Sequence, residues 1–171
     1  MRRALWAFAA ALLVTVTSGV TEAEAQRAIF LVRHAEKASQ TEDPPLSAEG
    51  MMRARALADL LRGAGVTHII TTEYLRTRAT SRPLASRLSI EPEVVPARDT
   101  PALVKRIREL GPDAVVLVVG HSNTLPGIMA ALGYANTIDL HDRDYDDVFV
   151  LVPRGEGTPS MVRLKYGRRT S

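Results

Sequence analysis

No cysteine occurs among the 171 residues. Disulfides, thiolate metal sites, cysteine nucleophiles and a lipid-modified cysteine anchor are thereby excluded, whatever compartment the chain occupies. Aromatic residues make up only 5% of the sequence, and the basic residues behind its net charge of +3 are scattered, with no run longer than two. Nucleic acid is therefore a poor candidate partner, and a small anionic substrate a better one. Repeats and linkers are also missing, which leaves a single domain. Histidine is scarce too, with four residues in all, and two of these occupy matching positions.

Ala28-Ile29-Phe30-Leu31-Val32 runs into Arg33-His34, and the apolar stretch from Ala114 to Val119 runs through Gly120 into His121. Each run reads as a strand with a histidine at its exit. In an open α/β sheet, ligands collect beyond the carboxyl ends of the strands, so side chains leaving two adjacent strands can converge on one small group. The arginine beside His34 suggests that this group is a phosphate. Neutral imidazole is a competent nucleophile near pH 7, and a guanidinium offers a planar fork of donors that fits phosphate oxygens.

The first residues stand apart. Met1-Arg2-Arg3, the apolar stretch Ala4 to Val20 and the A-x-A site Ala23-Glu24-Ala25 read as a secretory signal peptide over 1–25, cleaved before Gln26. Its roughly 17 apolar residues lie near the lower limit for a membrane span, so an uncleaved anchor is the alternative. Residues 26–171, about 146 in number, have the size of one domain with a single core. The expectation is an exported protein, periplasmic or secreted, with no stable membrane association after cleavage.

Further along, Pro44-Pro45 forces an extended loop, Ser47 is placed to cap a helix carrying Leu57, Leu60 and Leu61, and Gly63 and Gly65 end it. His68 to Thr71 reads as a short strand, Arg76 to Leu88 as a helix interrupted by Pro83, and Val94-Val95 as at most a short strand between prolines. Pro101 to Leu110 reads as a helix, Ala114 to Val119 as a strand buried on both faces, and Pro126 to Leu132 as a helix ending at Gly133. Asp147 to Val152 and Met161 to Lys165 suit a closing hairpin around Arg154-Gly155-Glu156-Gly157. This alternation predicts an α/β protein, a three-layer α/β/α sandwich with a mainly parallel central sheet and both histidines at one sheet edge.

These residues resemble the histidine phosphatase superfamily, the phosphoglycerate mutase-like branch one. Arg33-His34-Ala35-Glu36 is similar to its Arg-His-Gly-Glu motif, with alanine in place of glycine. Thr71 to Thr80 resembles its second segment and puts Arg76 at the phosphate-binding position, while Val119-Gly120-His121-Ser122-Asn123-Thr124 matches its closing histidine segment. The resemblance implies a phosphatase that needs no metal and no organic cofactor and takes a small phosphorylated substrate. His34 would attack phosphorus to form a phosphohistidine that water hydrolyses, with Arg33, Arg76 and His121 holding the charged oxygens and Asn123 adding a substrate contact. Arg33 and Arg76 would help keep His34 neutral, and a backbone carbonyl would fix its tautomer. Relatives with a carboxylate proton donor place it some two dozen residues past the second arginine, which makes Asp99 the first candidate, with Glu36 and Glu73 as alternatives. Asp99 also reads as a helix cap ahead of Thr100-Pro101.

Other readings compete. A chain this short has little material for a water-excluding lid, which disfavours a mutase relative to a hydrolase. A phosphohistidine or phosphoramidate phosphatase would need less help from an acid, and a phosphate-binding member without turnover would need none. Ser122 as the nucleophile of an esterase meets a failed G-x-S-x-G elbow, with Thr124 at its last position, and Asp139 and His141 are too close in sequence to complete a triad. The run Asp142 to Asp147 imitates the start of a calcium loop but has Asp147 where glycine is required and Pro153 at the twelfth position, so a solvated acidic loop, set near the substrate entrance, is the expectation.

Overall fold

The computed structural model describes residues 26–154 and 157–170. The expected signal peptide and the centre of the late hairpin turn, Gly155 and Glu156, lie outside the described residues. In chain order the elements are β1 (Ala28–Arg33), α1 (Ala48–Leu61), β2 (His68–Thr71), α2 (Leu75–Leu88), β3 (Glu93–Val94), α3 (Thr100–Arg108), β4 (Val115–Gly120), α4 (Leu125–Ala131), β5 (Asp147–Val152) and β6 (Ser160–Lys165).

The sheet has the order β3-β2-β4-β1-β5-β6. β3, β2, β4 and β1 are mutually parallel, and the hairpin β5–β6 continues the sheet antiparallel to β1. The chain moves outward from β1 to β3 and then doubles back to insert β4 between β1 and β2. Because crossovers between parallel strands are right-handed, reversing the direction of travel moves the helices to the opposite face. Accordingly Leu57 and Leu61 of α1 and Leu84 of α2 pack on Val115, Leu117 and Val119. Ile107 of α3 and Ile128 and Met129 of α4 pack on Val116 and Val118. β4 is buried along its whole length because it has a helical layer on each side. The expected three-layer sandwich is what the chain forms.

Local chemistry sets most boundaries. Ser47 Oγ accepts from Gly50 N at the start of α1, and Leu60 of the expected apolar stripe turns to solvent while Leu57 and Leu61 are buried. α2 tolerates Pro83 in its interior and ends at Ser89 in the left-handed region, φ 55°. Tyr74 gives α2 no side-chain cap, and Asp43 from the loop after β1 supplies one by accepting from Leu75 N at 2.9 Å.

Candidate active site

Pairing register decides what meets at the sheet edge. Arg33 lies opposite Gly120 and Thr71 opposite Val119, so His34, His121 and Thr72 are the first residues past three neighbouring strands. His34 N donates to Gly120 O at 2.9 Å, extending the ladder by one residue. The two imidazoles are then 5.3 Å apart between centroids, edge to face, and both side chains are buried.

His34 Nδ1 sits 2.8 Å from Ala35 O. A carbonyl only accepts, so Nδ1 carries the proton and Nε2 keeps a free lone pair. Burial pushes the imidazole down to about 3, with His121, Arg33 and Arg76 adding to the effect and the Ala35 carbonyl opposing it. The ring is therefore neutral at physiological pH, and burial contributes more to this than the two arginines expected to enforce it. Ala35 N donates to Thr80 Oγ1 at 2.9 Å, and that hydroxyl donates to Arg76 O at 2.7 Å, joining the motif loop to α2. The alanine that replaces glycine here is fully buried against Leu46 and Ala54, so its methyl group fills a small satellite core.

His121 Nε2 lies 3.1 Å from Thr72 Oγ1, and its Nδ1 lies 3.5 Å from an Arg76 Nη. Since guanidinium only donates, Nδ1 accepts and the Nε2 proton goes to Thr72, whose hydroxyl meets Thr77 Oγ1 at 2.9 Å. Burial, followed by Arg76, pushes His121 down to about 4, while Glu73 pulls upward. An incoming anion would raise this value and turn His121 into a second donor.

The two arginines are held alike. Arg33 donates to His141 O at 3.0 Å, lies 3.7 Å from Asp142 and stacks over Tyr145 at 4.3 Å. Arg76 donates to Glu42 O at 3.2 Å, lies 3.6 Å from Asp43 and stacks over Tyr74 at 4.1 Å. In each case Nε is buried without an acceptor. An unpaired buried donor costs about 1–3 kcal/mol, and two of them in the arginines around a neutral imidazole suit an oxyanion.

The remaining expected residues are distributed unevenly. Asp99 caps α3, its carboxylate accepting from Ala102 N at 2.9 Å, and no contact joins it to either histidine among the described residues. Glu36 is held by Arg53 at 2.7 Å on the far side of the motif loop. Glu73 is close enough to influence His121, and one of its oxygens accepts from Ala97 N at 2.8 Å. Asn123 is exposed, Ser122 has no catalytic partner among the described residues, and Asp139 and His141 face each other in an exposed loop at 3.4 Å. The acidic run meets the expectation of a solvated loop at Asp142 and Arg143 and corrects it at its end. Asp146 and Asp147 are buried, with Lys165 reaching Asp146 at 2.8 Å and Arg163 reaching Asp147 at 2.7 Å, because β6 pairs alongside and brings its cations over them. Among the described residues no cluster of three His, Asp or Glu is placed to hold a metal ion. A cavity of about 710 Å³ between α2 and β3, lined by Thr71, Leu75, Arg78 and Val94 among others, contains neither histidine.

Sequence reasoning missed Tyr74, Tyr145, Thr72 and Asp43. Tyr74 and Thr72 lie within the segment that identified Arg76, and their closeness to it was the available signal. Tyr145 lies in the acidic run expected near the substrate entrance, which gave no hint of its ring, and Asp43 carries no signal, being placed by a loop that folds back from elsewhere in the chain.

The family model of the histidine phosphatase superfamily (branch 1) matches residues 29–97, a span that holds Arg33, His34 and Arg76 and stops short of His121. A curated relative, "Probable phosphoglycerate mutase GpmB" of Enterobacter sp. (strain 638), is 39% identical over 64 residues, which is 33% of this chain and 30% of that protein. The chain thus matches less than a third of that relative's length. The structure of the protein histidine phosphatase SixA complexed with tungstate is similar with a TM-score of 0.66 at 19% identity, covering 81% of this chain and 96% of that one. A mycobacterial glucosyl-3-phosphoglycerate phosphatase is similar with a TM-score of 0.65 at 14% identity, covering 82% and 98%. At such identities the likeness is one of fold.

Proposed function

We propose, from a chain that matches the histidine phosphatase superfamily over residues 29–97 and shares its fold with phosphatases of known structure, that this protein hydrolyses small phosphomonoesters through a phosphohistidine on His34. The observation that carries this reading is the bare Nε2 of a neutral, buried His34 beside the unpaired Nε groups of Arg33 and Arg76. Nε2 forms a bond to phosphorus as the bond to the leaving oxygen breaks, and the arginines and His121 stabilise charge on the equatorial oxygens. Water then attacks the phosphohistidine, breaking the P–N bond and releasing inorganic phosphate.

The leaving oxygen needs a proton, and Glu73, two residues past the end of β2 and three before Arg76, is our candidate to give it, since Glu36 is paired with Arg53 and Asp99 caps α3. The engagement of Asp99 as a helix cap and of Glu36 with Arg53 also suits a second reading, a phosphoramidate phosphatase whose leaving nitrogen departs already protonated. The apolar N-terminal run and A-x-A site support export with cleavage before Gln26. Gln26 is itself buried and donates to Leu110 O at 2.7 Å, so a chain starting there keeps its first anchoring contact.

The decisive experiment is acid-labile, base-stable labelling. Enzyme quenched during turnover of an aryl phosphate should carry phosphate on the peptide containing His34, and His34→Ala should lose both label and turnover while Ser122→Ala keeps most of each. A label on another residue, or turnover by His34→Ala, would overturn the reading.

A further inference from the structure

The arginines that would grip phosphate are each shadowed by a carboxylate on the outer side. Asp43 lies 3.6 Å from Arg76 Nη1 and is itself fixed by Leu75 N. Asp142 lies 3.7 Å from Arg33 Nη2 in a strongly exposed position. Glu73, the residue before Tyr74 in the β2–α2 turn, is exposed and accepts from Ala97 N at 2.8 Å. These acids belong to three separate segments, the loop after β1, the β2–α2 turn and the loop before β5. Each of the two aspartates is only loosely paired with its arginine, at 3.6 and 3.7 Å, too long for a hydrogen bond, so its charge is offset in part and not cancelled, and Lys37 is turned to Gln40.

Such a site separates the two ends of a substrate by charge. Phosphoryl oxygens meet guanidinium donors and imidazoles on the floor, whereas the leaving group, directed away from His34 for in-line displacement, passes the carboxylates of the rim. A second anion there is repelled, and an ammonium group is attracted, across a rim that Asp142 shares fully with solvent and Asp43 in part, so the effect is open to screening by salt.

We propose that this site is selective for phosphomonoesters with a cationic leaving group, an amino-alcohol phosphate being the simplest class, and discriminates against those carrying a second anionic group close to the phosphate. The inference rests on the phosphatase reading and adds the polarity of the leaving group to it.

The test uses a matched pair of small substrates, 2-aminoethyl phosphate and carboxymethyl phosphate, which are similar in length and opposite in the charge they add. The full chain should favour the aminoethyl ester in kcat/KM by about tenfold or more at low salt, as expected for one unit charge acting over several ångströms in an intermediate dielectric. Raising the ionic strength should shrink that ratio. Asp43→Asn keeps an acceptor for Leu75 N, and in the Asp43→Asn/Asp142→Asn pair the ratio should fall at least threefold relative to the parent, which cancels the intrinsic reactivity difference between the two esters. A fall of less than threefold, a parent that prefers the carboxymethyl ester, or a ratio insensitive to salt would overturn the inference. The salt series on the unmodified protein decides the matter even if the paired variant does not fold. Hydrolysis of 4-nitrophenyl phosphate by the parent separates the two levels: without it the phosphatase reading itself fails, and with it only the selectivity is at stake.

Discussion

At His34 one backbone carbonyl settles which nitrogen can react. Ala35 O holds Nδ1–H, and Nε2 is left for chemistry. The residues around it contribute donors instead of further nucleophiles. Truncating Arg76 to alanine should lower kcat by about 10²–10³, the usual cost of one preorganised donor to a charged transition state. Arg76→Lys should recover little, because the ammonium lacks the fork that reaches Glu42 O, His121 and the anion together. Steady-state kinetics on an aryl phosphate checks both. The proton donor is a separate question with a separate test. Glu73→Gln should slow alkyl phosphates far more than activated aryl phosphates, since only the former leave as strong bases, while Asp99→Asn, which still caps α3, should slow neither selectively. An alkyl-specific loss in Asp99→Asn would return Asp99 to the mechanism.

Among the elements, α1 and α2 do more than cover one face of the sheet. Arg53 of α1 is buried and ties the Glu36 carboxylate to the backbone carbonyls of Tyr166 and Arg168, so the motif loop and the C-terminal segment are held by one side chain. The same helix approaches the loop so closely that a Cβ on Gly50 would overlap the Glu36 carbonyl oxygen, and a backbone atom cannot swing aside as a side chain does. Gly50→Ala should therefore cost about 1–3 kcal/mol, as overpacking does, and should also reduce kcat by displacing a loop two residues from His34. Gly63→Ala meets open space and serves as the control. Urea unfolding and kcat measured on both variants distinguish a local clash from a general loss of glycine.

For the molecule as a whole, the two buried histidines make stability depend on pH. Both have values in the fold, about 3 for His34 and about 4 for His121, below the 6.5 of an unfolded histidine. Between those limits the unfolded chain binds more protons than the folded one, so stability rises with pH across that window. Stability should be fully present above about pH 6.5 and fall progressively toward pH 4. Inorganic phosphate should offset part of the loss by binding only the folded site. Thermal melts from pH 4 to 8, with and without phosphate, measure both effects. Melting temperatures that stay level from pH 7 to 5 would contradict the burial of neutral imidazoles.

The sequence by itself determined the layers and the floor of the site. A short, valine-rich apolar run such as Val115 to Val119, bounded by Gly120, reads as a strand covered on both faces, and a histidine at the exit of each of two parallel runs is carried to the same edge by the pairing of β1 with β4. Those signals are local and periodic, so they can be read without knowing what packs where. Tertiary structure decided the rim and the acid. Asp43 reaches α2 across 32 residues and His141 O reaches Arg33 across 108, and neither contact leaves a pattern in the chain. Asp99 is the first candidate for proton donor in one dimension, with Glu36 and Glu73 behind it, and only the fold shows Asp99 capping α3 and Glu36 paired with Arg53. Asp146 and Asp147 read as solvated until β6 lays Lys165 and Arg163 over them. The reason is common to all these cases: hydrophobic periodicity fixes elements from within, whereas the partners of a polar loop residue are set by which distant segment arrives beside it.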